Sequence, residues 1–289
     1  TGLTVCENGR TYELPCRRTI LAIGHSARDT FETLLQAGVP MEPKPFSMGV
    51  RIEHRQSAIN ESQYGAFAAG LGAADYKLNA RFPDGSSAYT FCMCPGGRVV
   101  AAASEEGGVV TNGMSEFARD GENANAALLV TLTPDDFPGS GVLAGMYWQR
   151  ELEQAAFRAG GSNYCAPAQL VGDFLARRPS TALGSVRPSY RPGVALCDLH
   201  AVLPPQITAV LEQAIPALDR KLCGFAAQDA VLTAPETRSS SPIRILRGKM
   251  RQSALRGLYP CGEGAGYAGG ITSAALDGLR CAEALIAAL

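Results

Sequence analysis

Gly262-Glu263-Gly264-Ala265-Gly266-Tyr267-Ala268-Gly269-Gly270 is the stretch on which the fold turns. A short apolar run, 258–261, precedes it, and an apolar tail with helical spacing, 271–289, follows. Strand, glycine loop, helix is an arrangement that brings backbone N–H groups and a helix N-terminus against a phosphate or another electron-rich group. Five of these nine residues are glycine, and each glycine carries an entropic cost that only a special backbone shape or a close approach repays. Gly264-Ala265-Gly266-Tyr267-Ala268-Gly269 also fits the G-x-G-x-x-G spacing. Only 20 residues follow Gly269, whereas a βαβ unit takes roughly 30. The run therefore reads as a closing strand, loop and helix, not as a first dinucleotide clamp with an acidic ribose ligand downstream.

Working outward, a second glycine-ended strand lies near the start. In Thr19-Ile20-Leu21-Ala22-Ile23-Gly24-His25-Ser26 an apolar strand stops at Gly24. This is either a buried strand with its exit turn or a strand whose carboxyl end lies beside a nucleotide. Upstream, 4–7 and 11–14 flank Asn8-Gly9, the strongest two-residue hairpin signal. A helix is expected over 28–36, ended by Gly38, and the Pro-rich 40–45 marks a boundary. Between the two ends, 48–53, 88–93, 99–103 and 128–132 read as strands, as do 231–233 and 243–246. Helical spacing covers 145–159, 168–177 and 205–222, the last of these kinked or split by Pro216. The fold class expected is α/β with an α+β insertion. Its parts are 1–42 and 236–289, forming one layer from both ends, and an inserted domain, 43–235.

The 289 residues are 46% hydrophobic and 18% charged, with Lys+Arg 26 against Asp+Glu 27. That balance argues against a general nucleic-acid binder, and no apolar run is long enough to span a bilayer. Neither a nucleic-acid nor a membrane partner is expected, and the small-molecule substrate and the oligomeric state are left open. Nine cysteines at 6, 16, 92, 94, 165, 197, 223, 261 and 281 are odd in number and widely spread. They form neither a disulfide framework nor a zinc cluster, and they fit reduced thiols in a cytoplasmic protein with no metal site.

Several polar groups are candidates for chemistry. Arg51, Glu53 and His54 sit together in Gly49-Val50-Arg51-Ile52-Glu53-His54, where Arg51 and Glu53 share a strand face. They read as an ion pair or as ligand contacts. Cys92-Met93-Cys94-Pro95-Gly96-Gly97 suggests a thiol pair, although a disulfide between those two requires a bend in the chain. Glu236-Thr237-Arg238-Ser239-Ser240-Ser241 places a guanidinium among hydroxyls, suited to a phosphate or a flavin edge, or simply to water. Glu263 is either a solvated or capping carboxylate or an acceptor for ligand hydroxyls.

Together these pieces resemble flavoproteins with two dinucleotide-binding domains. The stretch 20–29 resembles their second glycine-ended strand, with Ile23 where the pattern has Thr, and 258–271 resembles their closing motif. More closely, 46–54, 91–97, 111–115, 123–125, 236–244 and the closing motif are similar to the bacterial FAD-dependent, or NAD(FAD)-utilising, dehydrogenase family. The resemblance spans almost the whole chain and implies a Rossmann-like FAD domain and a flavin oxidoreductase, with NAD(P)H as a candidate electron donor. It implies FAD contacts at Gly24, His25, Gly262, Glu263, Gly264, Gly266, Tyr267, Gly269, Gly270 and Ile271. The inserted domain would cap the isoalloxazine ring, with Arg51, His54, Cys92, Cys94 and Arg238 as candidates to line the substrate site. The family's amino-terminal strand, glycine loop and helix would lie upstream of Thr1. The chain is thus expected to be the carboxy-terminal part of a longer protein, binding FAD weakly and inactive by itself. Two other classes compete: an anion- or nucleotide-binding interaction domain, and a flavin-independent thiol protein using Cys92 and Cys94.

Overall fold

A computed structural model describes residues 2–288 of the chain. It is a mixed α/β protein that divides into two compact units.

One unit comprises Thr1–Phe46, Thr133–Tyr147 and Ser240–Leu289. Strands Gly2–Glu7 and Arg10–Pro15 pair antiparallel around Asn8-Gly9, both of which have positive φ, 51° and 77°. That is the backbone a tight primed turn demands, and Asn-Gly supplies it. Strand Thr19–Leu21 pairs in parallel with Leu258–Pro260, and Met41–Pro43 pairs antiparallel with Ile243–Ile245. Sequence-distant stretches thus join in two small sheets. Helix Arg28–Gln36 contributes Phe31 to a core shared with Val39, Met41, Leu143, Met146, Ile243, Ile245 and Ala265. Helix Ile271–Ile286 follows the glycine run.

The other unit comprises Ser47–Leu132 and Trp148–Ser239. Its centre is a seven-stranded mixed sheet in the order Val194–Leu196, Ala166–Leu170, Val231–Glu236, Phe46–Arg55, Asn123–Leu132, Ser87–Cys94, Asn79–Arg81. Val194–Leu196 and Ala166–Leu170 run parallel, and the latter runs antiparallel to Val231–Glu236. Strands Phe46–Arg55 and Asn123–Leu132 are buried along nearly their whole length, as central strands covered on both faces must be. A two-stranded ribbon, Gly97–Ala101 with Thr111–Ser115, accompanies the sheet.

The helix expected over 168–177 is a correction. Ala168, Gln169 and Leu170 belong to a strand, and only Val171–Leu175 is helical. The strand lies between two others, and cross-strand pairing on both edges overrides a short apolar run that also fits helical spacing. Pro216 does not split its helix, which runs unbroken over Pro205–Asp219. Pro216 forfeits the bond that an N–H at its position would make to the Glu212 carbonyl, and the buried Ile215 and Leu218 that flank it anchor the helix by packing instead. The short strand Val194–Leu196 and helix Gln56–Tyr64 carry no pattern strong enough to be read beforehand.

Candidate functional site

The parallel pair Thr19–Leu21 and Leu258–Pro260 sends both carboxyl ends into glycine loops. Ligands of α/β sheets bind beyond the carboxyl ends of parallel strands. The loops touch: a Cβ on Gly264 would lie 2.3 Å from the Gly24 carbonyl oxygen. Only a residue without a side chain permits that approach.

Glu263 sits between these glycines with its side chain 24% exposed, and its Oε1 lies 3.5 Å from His25 Nδ1. Burial pushes its carboxyl above the ordinary carboxylate range, while the Lys44 charge pulls it back. Burial lowers the Lys44 pKa and Arg244 lowers it further, with Glu263 opposing both. Lys44 and Arg244 are thus cationic neighbours of this loop that sequence reading missed. Lys44 lies between two prolines and Arg244 between two isoleucines of a short strand, so neither carries a motif that marks it.

The loop is fastened from below. Gly262 N–H donates to Asp277 Oδ2 at 2.9 Å. Asp277 also accepts from Arg247, Nη1 to Oδ2 at 2.9 Å and Nη2 to Oδ1 at 2.7 Å, and from Arg251 at 2.6 Å. Burial works to raise the Asp277 carboxyl, but these donors outweigh it and hold it below its ordinary value. The Arg247 guanidinium lies 3.6 Å from the Tyr267 ring centre, and the Tyr267 hydroxyl donates to the Ile245 carbonyl at 3.1 Å. Two expected ligand contacts, Gly262 N–H and Tyr267 O–H, therefore already serve the loop itself. Asp277 gave no signal of its own in the sequence, since Arg280 and Glu283 share its helix.

The opposite end of the run stays open. Gly270 caps helix Ile271–Ile286 without a side-chain hydrogen bond, and Ile271 is 93% exposed. The first N–H groups of a helix have no intrahelical partner and carry about half a positive charge. A half-buried carboxylate and an uncapped helix start, set in one glycine loop, can accept hydroxyl protons and face an anionic or electron-rich group.

The other unit holds the five remaining candidates, and it gathers three of them. Arg51 is fully buried on the central strand. Its Nε donates to Asn125 Oδ1 at 2.9 Å and its Nη1 to Glu236 Oε1 at 3.1 Å. Its Nη2 donates to the Cys92 carbonyl at 2.8 Å and to Cys94 Sγ at 3.4 Å. Burial pushes the Glu236 carboxyl up to about 7, against the pull of Arg51 and the Thr111 hydroxyl. A Cβ on Gly113 would lie 1.8 Å from Arg51 Nη2, so the ribbon can lie over the guanidinium only through a glycine.

His54 is 2% exposed, with Nε2 2.8 Å from the Phe225 carbonyl, and burial pushes its imidazole pKa down. Arg238 forks onto Glu153, at 3.1 and 2.8 Å, and reaches Ser104 Oγ. Glu53 accepts from Asn123 at 3.0 Å and from the Ser189 hydroxyl at 2.5 Å. Arg51 and Glu53, neighbours on one strand face, thus have separate partners. Asn125, Thr111 and Glu236 complete the Arg51 cluster; the sequence marks them only within stretches of family resemblance, and not as partners of Arg51, because the contacts that unite them are long-range.

Among the described residues, no group of three or more His, Cys, Asp or Glu could hold a metal ion, and no helix is long and apolar enough to cross a membrane.

Comparison with known proteins places these observations. Residues 45–239 match the family described as "FAD-dependent protein, C-terminal domain-like". An uncharacterized protein of Clostridium beijerinckii is 50% identical over 287 residues, covering 98% of this chain and 54% of that protein. The chain therefore spans about half the length of this relative.

Proposed function

The chain belongs to this FAD-dependent family, and we propose that it is the carboxy-terminal part of a flavin-dependent oxidoreductase, contributing closing contacts to FAD. The observation that carries this reading is the pair of interlocked glycine loops at the carboxyl ends of the parallel strands, with Glu263 and the helix start beside them.

Those residues fit the cofactor. Glu263 would accept hydrogen bonds from ribityl hydroxyls, and its half-buried setting makes such bonds strong. The backbone of Gly24 and Gly264 would allow close approach, with His25 beside them. Gly266 would hold the loop's shape, and Gly269, Gly270 and Ile271 would present the helix start to an electron-rich edge. Lys44 and Arg244 would add positive charge near an anionic cofactor. FAD, when bound, would supply the electron-transfer chemistry, and the protein would orient it and tune its electronics. The relative's additional length leaves room for further FAD contacts, and a chain spanning only this half should hold FAD weakly.

The test is the absorbance spectrum of the full-length protein after purification and desalting. Flavin bands in near-stoichiometric amount are expected, and a colourless protein that takes up no FAD would overturn the reading.

A further inference from the structure

We propose that Cys92 and Cys94 form a dithiol that cycles to a disulfide by exchange with small disulfides. Cys92 reacts first and Cys94 closes the ring. This site lies wholly in the seven-stranded unit and does not rest on the FAD reading.

Cysteines two apart on a regular strand can join only if the backbone bends, and here it does. Cys92 has a φ of 43°, in the left-handed region that few non-glycine residues occupy. The ladder slips at the same place: Asn125 faces Cys94 and Ala127 faces Phe91, so Cys92 and Met93 together oppose Ala126. A bulge of this kind re-aims side chains and is common beside reactive sites. A strained residue within a bulge is an observed outlier from which a functional hypothesis can start.

The two thiols also differ as an attacking and a resolving thiol should. Cys92 is exposed and Cys94 is buried. Arg51 Nη2 bridges them, donating to the Cys92 carbonyl and to Cys94 Sγ. Cys94 sits directly across the ladder from Asn125, whose Nδ2 is buried without an acceptor. A sulfur anion at Cys94 would be an acceptor in a neighbourhood that has a donor to spare. Cys261 and Cys281 supply the contrast, since both are buried and burial, with Cys281 next to it, pushes the Cys261 thiol up to about 11.

The exchange balances without a further reactant. The Cys92 thiolate attacks a disulfide RSSR, forming a Cys92–SR mixed disulfide and expelling RS⁻, which takes up a proton. The Cys94 sulfur then attacks Cys92 Sγ and breaks its bond to SR, and the second RS⁻ leaves as RSH. Two electrons pass from the cysteine pair to the small disulfide, and two protons go to the two thiols released.

The experiment uses the purified protein in oxidised glutathione, with peptide mass spectrometry. Cys92 and Cys94 fall in one tryptic peptide, 82–98, which is expected to lose two hydrogens while Cys261 and Cys281 stay reduced. Cys94→Ser should instead accumulate glutathione on Cys92, about tenfold faster than on the exposed Cys6 and Cys223. A wild-type peptide that stays dithiol in excess oxidised glutathione would overturn the proposal. So would a Cys94→Ser protein whose Cys92 reacts no faster than Cys6 and Cys223.

Discussion

Gly264 and Gly24 meet backbone to backbone, so closely that a Cβ on Gly264 would lie 2.3 Å from the Gly24 carbonyl oxygen. The atom in the way belongs to the main chain, and no side-chain rotation can relieve the contact. Gly264→Ala should therefore push the two loops apart and cost about 1–3 kcal/mol. Thermal melting followed by circular dichroism checks this, and an unchanged Tm would show that the loops separate freely.

Asp277 joins Gly262 to Arg247 and Arg251. Asp277→Ala would leave the Gly262 N–H without its acceptor and strip Arg247 of its carboxylate partner, although Arg247 Nη1 keeps the Pro260 carbonyl at 2.7 Å. The expected loss is about 3 kcal/mol, read from urea unfolding. The Asp277 carboxyl lies below its ordinary value in the folded protein. Its contribution is therefore present above the unfolded value near 3.8 and is lost as pH falls through the folded value. The wild type should weaken below about pH 4 more than Asp277→Ala does.

Glu236 predicts the opposite slope. Burial holds its folded value at about 7, above the ordinary carboxylate value near 4.5. The folded state keeps a proton that the unfolded chain releases, so stability should fall as pH rises from about 4.5 to 7 and level off above that. The effect is at most about 3 kcal/mol. Glu236→Gln should flatten that part of the stability–pH curve, and denaturant midpoints across pH 5–8 measure it. A Gln variant that keeps the wild-type slope would place the titration elsewhere.

Glu263→Ala in the full-length protein should weaken FAD retention, because the loop would lose its acceptor for ligand hydroxyls. The A450/A280 ratio after extensive dialysis reads this directly. Full flavin occupancy in the variant would remove Glu263 from the site.

Local signals carried the parts of the fold that local chemistry decides. Asn8-Gly9 announced its hairpin, and Gly38 announced the end of the helix Arg28–Gln36. The glycine run reads as a strand–loop–helix from its own residues. The strand Ala166–Leu170 was not, because its identity comes from neighbours on both edges rather than from its own residues. The same limit applied to the polar cluster. Arg51 stood out in sequence, but Asn125 and Glu236 join it from 74 and 185 residues away. Asp277 was hidden for a related reason, since a carboxylate that fastens a distant loop looks like an ordinary helix charge.

The parallel pair has a consequence for how the chain is made. Thr19 finds its partner at Leu258, so the first strand leaves the ribosome long before the second exists. At roughly 5–20 residues per second, the wait is on the order of 10–50 s. Throughout that interval Ile20 lacks the pairing with Tyr259. A nascent chain paused between the two strands lacks this pairing and is therefore more exposed to aggregation than the finished chain.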